Sequence, residues 1–287
     1  MSAVEREAGA DCAVIKPRGL LGLVVDDMKP TRIDSIDDPR IAVYRDLPGR
    51  SAESGWMIAE GRWLVERLLA SDHDVTSILC DESLAAEIQT LEPPAALFTA
   101  SGELLNDILG IRFHRGVLAC AERREGLSLA ALATTVSARA ALAICDGVSD
   151  PENLGSLIRT AVALNAEGLV LGPGCADPLS RRALRVSMGA SLQMPIVECR
   201  DLAAAVDELK QHEFRVLGAV LQRVDSVSLE RVIDSPRLAI AFGNEGYGLT
   251  PEVLKRCDQL VALPMSDAVD SLNVAVAAGI FLHYFRR

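Results

Sequence analysis

The stretch Leu238-Ala-Ile-Ala-Phe-Gly-Asn-Glu-Gly-Tyr-Gly-Leu249 joins an apolar run to a loop with three glycines and one carboxylate. Glycines 243, 246 and 248 permit positive φ and let a ligand approach the backbone closely. Their spacing matches neither the dinucleotide-binding Gly-x-Gly-x-x-Gly nor a Walker A loop. Thr250-Pro251-Glu252 follows and is typical of a helix start with Thr250 as N-cap. The stretch therefore predicts strand, loop and helix in succession rather than a β-hairpin.

The same alternation of strand and helix continues through the chain from residue 139 onward. The last helical pattern is the clearest, because apolar residues recur at helical spacing from Val274 to Phe285. Alternation of this kind predicts an α/β fold whose parallel sheet is flanked by helices on both faces. The predicted strands are 141–145, 168–171, 195–198, 215–220, 238–242 and 260–264.

The first half of the chain predicts a second, smaller α/β unit. The pattern predicts a helix with Trp63, Leu64, Leu68 and Leu69 on one side, and Val75 to Cys80 is typical of a strand. The predicted organisation is an N-terminal extension (1–35), a compact unit (36–123), a linker rich in Ala, Ser and Thr whose composition also allows a helix (124–138), and the main domain (139–287).

Composition and charge narrow the function classes. The seven cysteines are scattered and never form Cys-x-x-Cys, which favours reduced, mostly buried thiols over a disulfide framework or a metal site. No apolar run could span a bilayer, and acidic residues occupy the N-terminus where a signal peptide would be basic, so a cytoplasmic location is predicted. The net charge of −11 argues against a strongly basic nucleic-acid-binding domain, although a local basic patch would still permit docking.

A second polar segment follows the predicted strand 141–145. Asp150-Pro151 is typical of a helix start, which places Asn153, Gly155 and Arg159 near the carboxyl end of the strand. That edge of an open α/β sheet is where ligands bind. An ordinary helix start with a surface arginine is the alternative interpretation.

A third polar segment, 263–273, follows the last predicted strand. Ser271 is interpreted as the N-cap of the final helix. Asn273 is harder to explain by structure alone, because asparagine is a poor helix former inside the first turn.

These three segments, in this order, resemble the signature motifs of the SpoU (TrmH) branch of the SPOUT RNA methyltransferases. Asn153 to Arg159 matches the first motif, Gly243-Asn-Glu-Gly-x-Gly the second, and Leu263-Pro-Met with Ser271-Leu-Asn273 the third. The first unit more weakly resembles the L30e-like RNA-binding domain, through Ala59-Glu60-Gly61-Arg62 and Arg115-Gly116-Val117. Leu164-Asn165 departs from the family's usual Phe-Gly, but asparagine tolerates the left-handed conformation that ends such a helix.

The resemblance implies S-adenosylmethionine as cofactor, RNA as partner and methylation of a ribose 2′-hydroxyl, with rRNA favoured over tRNA. It also implies a C-terminal deep trefoil knot and a homodimer whose active sites take groups from both subunits. The site residues that it implies are Asn153, Arg159, Glu245, Ser271 and Asn273 for catalysis, and Gly243, Leu263, Met265 and Leu272 for the cofactor.

Two local groups of basic residues predict where RNA docks. One is Arg181, Arg182 and Arg185 on a helical segment, and the other is Arg112, His114 and Arg115; Arg62 is added through the L30e-like match. A solvated helix face is the plain alternative for each group.

Two other functions stay open, namely a non-catalytic RNA-binding relative and an enzyme that methylates a base nitrogen. A dehydrogenase is a distant third, because its glycine fingerprint is missing.

Overall fold

The computed structural model describes residues 29–45, 55–110, 113–266 and 268–285, and these form two β-sheets with their own helices. The first sheet has the order β1-β4-β3-β5-β2, in which β5 runs antiparallel to both of its neighbours. Its elements are β1 (Thr31–Arg32), β2 (Trp56–Glu60), α1 (Arg62–Leu69), β3 (Val75–Asp81), α2 (Ala85–Gln89), β4 (Ala96–Ala100), α3 (Gly102–Leu109) and β5 (Val117–Glu122).

Apolar side chains cover both faces of the first sheet. Tyr44, Leu79 and Phe98 belong to the cluster on one face, and Leu68 and Ile78 belong to the cluster on the other. β1 pairs with β4 although it lies within the predicted extension 1–35. The sheet therefore begins before residue 36.

The second sheet has seven parallel strands in the order β10-β12-β9-β11-β6-β7-β8, and helices pack on both of its faces. The prediction of a parallel sheet flanked by helices is thus confirmed, and all six predicted strands are present. Its elements are α4 (Leu129–Thr135), β6 (Ala140–Asp146), α5 (Pro151–Ala163), β7 (Gly168–Leu171), α6 (Arg181–Val186), β8 (Ile196–Glu198), α7 (Leu202–Gln211), β9 (Arg215–Val220), β10 (Val227–Ser228), β11 (Arg237–Gly243), α8 (Pro251–Leu254), β12 (Gln259–Ala262) and α9 (Val274–Tyr284).

Helix α4 lies in the segment predicted as a linker, 124–138. Its Leu129, Leu132 and Ala133 are buried in the same core cluster as Leu142 of β6. This segment is therefore helical and packs on the second sheet.

The two sheets are joined by an interface between α6 and the first unit. Leu184 of α6 is fully buried in the apolar cluster that contains Leu68 of α1. Beside it, Arg181 Nη2 donates to Glu60 Oε2 at 2.7 Å, and Glu60 is 8% exposed. Apolar packing and a nearly buried ion pair together fix the orientation of the two units.

The topology gathers several strand ends at one place. β6, β9, β11 and β12 are neighbours in a parallel sheet, so their carboxyl ends emerge at the same edge. In the register of the sheet, Gly243 at the end of β11 lies opposite Asp146 at the end of β6. This edge is where the three polar segments meet.

No helix among the described residues combines the length and the apolar character that a bilayer crossing requires.

Candidate active site

The loop after β6 presents Asn153 on the first turn of α5. Asp150 is the N-cap and its Oδ1 accepts a hydrogen bond from Glu152 N at 2.8 Å, while Pro151 occupies the first helical position. The predicted helix start at Asp150-Pro151 is confirmed. At the other end of α5, Asn165 has φ 62, which is the left-handed conformation expected there.

The loop after β11 is closed on itself. Asn244 N donates to Gly248 O at 3.0 Å, and Gly248 N donates to Asn244 O at 2.9 Å. A Cβ at Gly243 would lie 2.1 Å from the carbonyl carbon of Gly248, so this position accepts only glycine. The chain then enters α8 with Thr250 as N-cap, which confirms strand, loop and helix in succession.

Two side chains tie the second loop to the first. Asn244 Nδ2 donates to Gly147 O at 2.7 Å. Asp146 Oδ2 accepts hydrogen bonds from Thr250 N at 2.7 Å and from Thr250 Oγ1 at 2.8 Å. Asp146 is 4% exposed, so these bonds satisfy a carboxylate that burial would otherwise penalise. Sequence reasoning missed both Asp146 and Asn244, and the only available signal was a polar residue directly after each apolar strand.

The third loop enters α9 through Asn273. Asn273 is the N-cap, and its Oδ1 accepts a hydrogen bond from Ala275 N at 2.9 Å. The interpretation of Ser271 as N-cap is therefore wrong, because the helix begins at Val274 and Ser271 lies two residues before the cap. This position also explains why an asparagine is tolerated here, since asparagine is among the best N-cap residues.

One set of hydrogen bonds links all three loops. Asn273 Nδ2 donates to Asn153 Oδ1 at 2.7 Å, and Asn153 Nδ2 donates to Glu245 Oε1 at 2.7 Å. Asn153 uses both ends of its amide in this Asn153–Glu245–Asn273 triad. Three residues far apart in sequence are thus held at fixed separations beside the sheet edge.

A cavity of about 710 Å³ opens next to the triad. Glu245, Ser271 and Asn273 line it, and so do all four residues predicted to bind the cofactor, Gly243, Leu263, Met265 and Leu272. The rest of the wall is made by apolar side chains, among them Ala219 and Phe281, and by polar ones, among them Arg223 and Tyr247. The structure therefore brings together seven of the nine residues predicted for catalysis and cofactor binding, and Asn153 adjoins them through the triad.

The sequence of this domain decides the family. Residues 140–283, half of the chain, match the model of the SpoU rRNA Methylase family. This chain belongs to the SpoU rRNA methylase family. It is an RNA methyltransferase of that family, and S-adenosylmethionine is the methyl donor that membership implies.

Relatives and solved structures extend the SpoU match over both units. An uncharacterized tRNA/rRNA methyltransferase of Mycobacterium tuberculosis is 37% identical over 255 residues, which cover 85% of this chain and 87% of the relative. The 23S rRNA (guanosine(2553)-2′-O)-methyltransferase RlmP of Bacillus subtilis is 31% identical over 258 residues, 89% of this chain and 99% of that protein. The fold is shared with the AdoMet-bound rRNA methyltransferase of Sinorhizobium meliloti, with a TM-score of 0.75 at 23% identity over 90% of this chain and 97% of that one.

Arg159, assigned to catalysis by the SpoU resemblance, does not line the cavity of its own chain. It lies two turns along α5 from Asn153 and is exposed. Within the part of the chain that the structure describes, no hydrogen bond or ion pair engages its guanidinium. The guanidinium of Arg159 is thus open to solvent, and its role in catalysis stays a prediction.

Most of the arginines predicted to bind RNA in this SpoU protein are already paired with carboxylates. Arg115 and Arg181 both contact Glu60, Arg182 pairs with Glu152, and Arg62 pairs with Glu66 and Glu87. Among the described residues, Arg185 has no ion pair. Arg112 lies outside the described residues. Arg181 thus contributes to the interface between the two units, and its role in RNA binding stays a prediction.

The cysteines of the SpoU domain take no part in the site. Burial raises the pKa of the Cys145 thiol well above its ordinary value and the pKa of Cys257 to about 12. The six cysteines that the structure describes are free thiols, of which three are buried and three are half-buried. The described residues also contain no group of three or more histidines, cysteines and carboxylates suited to a metal ion.

Proposed function

We propose that this protein transfers a methyl group from S-adenosylmethionine to a ribose 2′-hydroxyl of RNA, with rRNA favoured over tRNA. The observation that carries the proposal is the Asn153–Glu245–Asn273 triad, which holds three loops together at the rim of one cavity. The 31% identity to a 23S rRNA 2′-O-methyltransferase over nearly its whole length supports both the ribose and the rRNA. Action on RNA also fits the cytoplasmic location predicted from the sequence.

The cavity suits the proposed cofactor in size and in chemistry. Its volume of about 710 Å³ lies within the range of small-molecule sites. Gly243, Leu263, Met265 and Leu272 would hold the cofactor with loop backbone and apolar side chains, and Glu245 provides a negative charge for a sulfonium. When bound, S-adenosylmethionine supplies an activated methyl group.

The chain's own residues then position the second reactant. Asn153, Ser271 and Asn273 offer hydroxyl and amide groups beside the cavity to orient a ribose. Arg159 binds the adjacent phosphate and stabilises negative charge on the 2′-oxygen, because a guanidinium remains charged at neutral pH. Alignment of two reactants contributes much of the acceleration in such a displacement. Removal of the hydroxyl proton is assigned to no single group.

A homodimer completes the proposed site. Val276, Ile280 and Tyr284 recur every four residues on the outer side of α9 and are 52%, 41% and 47% exposed, which leaves an apolar stripe for a second copy. In such a dimer Arg159 of one copy reaches the cavity of the other. Light scattering of the purified chain tests the dimer.

The trefoil knot in the C-terminal domain and the L30e-like character of the first unit belong to the same proposal.

Methylation of RNA transcribed in vitro tests the function. The enzyme is incubated with labelled S-adenosylmethionine and unmodified 23S rRNA or tRNA transcripts, and the nucleosides are separated by mass spectrometry. We expect ribose-methylated nucleosides from the 23S rRNA. Base-methylated nucleosides would instead support a base nitrogen as acceptor. RNA binding without calorimetric binding of S-adenosylmethionine would support a non-catalytic relative.

A further inference from the structure

Trp63 is an unusual residue on the surface of α1. The prediction that it shares the apolar side of the helix with Leu64 is wrong, because Trp63 is 66% exposed while Leu64 and Val65 are buried. Tryptophan is a highly buried residue type on average, because an exposed indole leaves a large apolar face in water. The packing of α1 does not require an aromatic ring at this position.

Arg67 lies one helical turn after Trp63 and contacts both the indole ring and the second unit. Its guanidinium carbon is 5.8 Å from the centroid of the Trp63 ring, within the range of a cation–π interaction. The same guanidinium donates a hydrogen bond to the carbonyl oxygen of Met188. Arg67 therefore connects the indole of the first unit to a loop of the second.

Met188 is held in a conformation that side chains disfavour. Its φ is +54, and Gly189 follows with φ +76. A Cβ at Gly189 would lie 2.9 Å from Leu64 Cδ1 and 3.1 Å from Arg67 Cδ, so the loop packs closely on α1. This backbone leaves the Met188 side chain 42% exposed near Arg67. Trp63, Arg67 and Met188 thus place an exposed indole and an exposed thioether on either side of a cation, and we call this group the Trp63 platform.

Helix α6 connects the platform to the candidate active site. At its start Arg182 pairs with Glu152, the residue before Asn153, and Met188 follows its end. Arg182 and Met188 are six residues apart, roughly 9 Å if the helical rise is continued past the end of α6, a distance that about three stacked nucleotides cover. Arg185 lies between them and has no ion pair within the described ranges.

We propose that the Trp63 platform stacks an unpaired nucleobase of the RNA, a few nucleotides from the methylated ribose. The inference rests on the proposed function and adds a substrate class to it, namely RNA in which the target has an unpaired neighbour. Proteins bind single-stranded nucleic acid with exposed aromatic rings beside cations that no carboxylate neutralises, since every base has a π-face. Inside an RNA duplex the base faces are covered by their stacked neighbours.

Tryptophan fluorescence gives a direct test, because the chain has only two tryptophans and the other, Trp56, is half-buried. Titration with a single-stranded adenosine decamer should quench the wild-type emission, and a duplex of the same length should not. Trp63→Phe should remove most of the quenching. Trp63→Ala should weaken binding of the decamer by about 5- to 100-fold, the usual effect of losing one stacked base. Ile233→Ala, which removes another exposed apolar side chain, is the matched control.

The outcomes separate the platform from the proposed function. Trp63→Ala should raise the KM for 23S rRNA, while calorimetric affinity for S-adenosylmethionine stays at the wild-type value. Trp63→Phe keeps an aromatic ring and should bring the KM most of the way back to the wild-type value. Equal quenching by the duplex, or wild-type affinity for RNA in Trp63→Ala, would overturn the platform and leave methylation standing. A dimer that dissociates on Trp63→Ala would also overturn it, in favour of a contact between copies. Quenching without any methylation by the wild type would overturn the proposed function alone.

Discussion

Asn273 Nδ2 donates a hydrogen bond of 2.7 Å to Asn153 Oδ1 across 120 residues of sequence. The bond joins the N-cap of α9 to the first turn of α5, so the last helix cannot shift without moving the amide that also contacts Glu245. The geometry of the site is a property of the three loops together.

The first prediction concerns the coupling between these two asparagines. Asn153→Ala and Asn273→Ala should each lower the free energy of unfolding by about 0.5–1.5 kcal/mol, the net value of such hydrogen bonds. Because both remove the same bond, the double variant should lose less than the sum, by about 0.5 kcal/mol or more. Urea denaturation of the wild type, the two single variants and the double variant completes this double-mutant cycle. Strictly additive losses would contradict the triad.

Gly243→Ala should damage the second loop. The added methyl would lie 2.1 Å from the Gly248 carbonyl carbon and 2.3 Å from Leu249 N, which forces the backbone to move. We expect a loss of about 1–3 kcal/mol in unfolding free energy, together with weaker calorimetric binding of S-adenosylmethionine. Gly126→Ala is the control, since a Cβ there meets nothing within 4 Å. Equal stability of the two variants would argue against the close packing of the loop.

Arg159→Lys tests whether the reaction needs a planar guanidinium. Lysine keeps the charge but loses the two parallel donors that match a phosphate. The loss of one charge-assisted hydrogen bond should lower kcat/KM for RNA about 10- to 100-fold. Steady-state methylation kinetics measure it, with Arg231→Lys at an exposed position as the control. Near-normal activity would contradict the bidentate role.

The interface between the two units should depend on Glu60. Its side chain is 9% exposed and accepts from Arg181 Nη2, so Glu60→Gln leaves Arg181 without its anionic partner. We expect a loss of about 3 kcal/mol, as for other nearly buried pairs. Arg62→Ala breaks two pairs, with Glu66 and Glu87, at a 54% exposed arginine, and each should cost less than about 1 kcal/mol. Thermal and urea unfolding of the two variants measure the difference. Similar losses in the free energy of unfolding would argue against a nearly buried ion pair between Glu60 and Arg181.

The buried thiols give a pH prediction. The folded-state pKa of Cys257 is about 12, raised from 9.0 chiefly by burial. A raised pKa stabilises the folded state below pH 9, and this contribution disappears as the pH rises from 9 towards 12. At pH 8 iodoacetamide should therefore alkylate Cys257 at least about tenfold more slowly in the folded protein than in urea. Peptide mass spectrometry follows the site, and equal rates would show that the thiol is accessible.

Much of the second sheet could be predicted from sequence, because buried parallel strands are continuous apolar runs such as Leu238–Phe242. The meeting of the three loops followed from the same pattern, since parallel strands end at one edge. Ion pairs and hydrogen bonds between residues far apart in the chain could not be predicted from the sequence. Glu60 and Arg181 are 121 residues apart, and the arginine's neighbours in sequence indicate only a basic helix face. The helix cap was misplaced for a similar reason, because Ser271 and Asn273 are both good caps and tertiary contact with Asn153 selects the second.

Leu184 belongs by sequence to the methyltransferase domain, yet it is buried in the core of the first unit. In a chimera that joins the first unit of one relative to the second domain of another, the residue at position 184 would therefore pack against a cluster to which it is not matched. We expect such a chimera to keep its stability only where the residues around Leu184 match α6 in size and shape. The first unit and the second domain of this chain therefore constrain each other's sequence at the contact around Leu184.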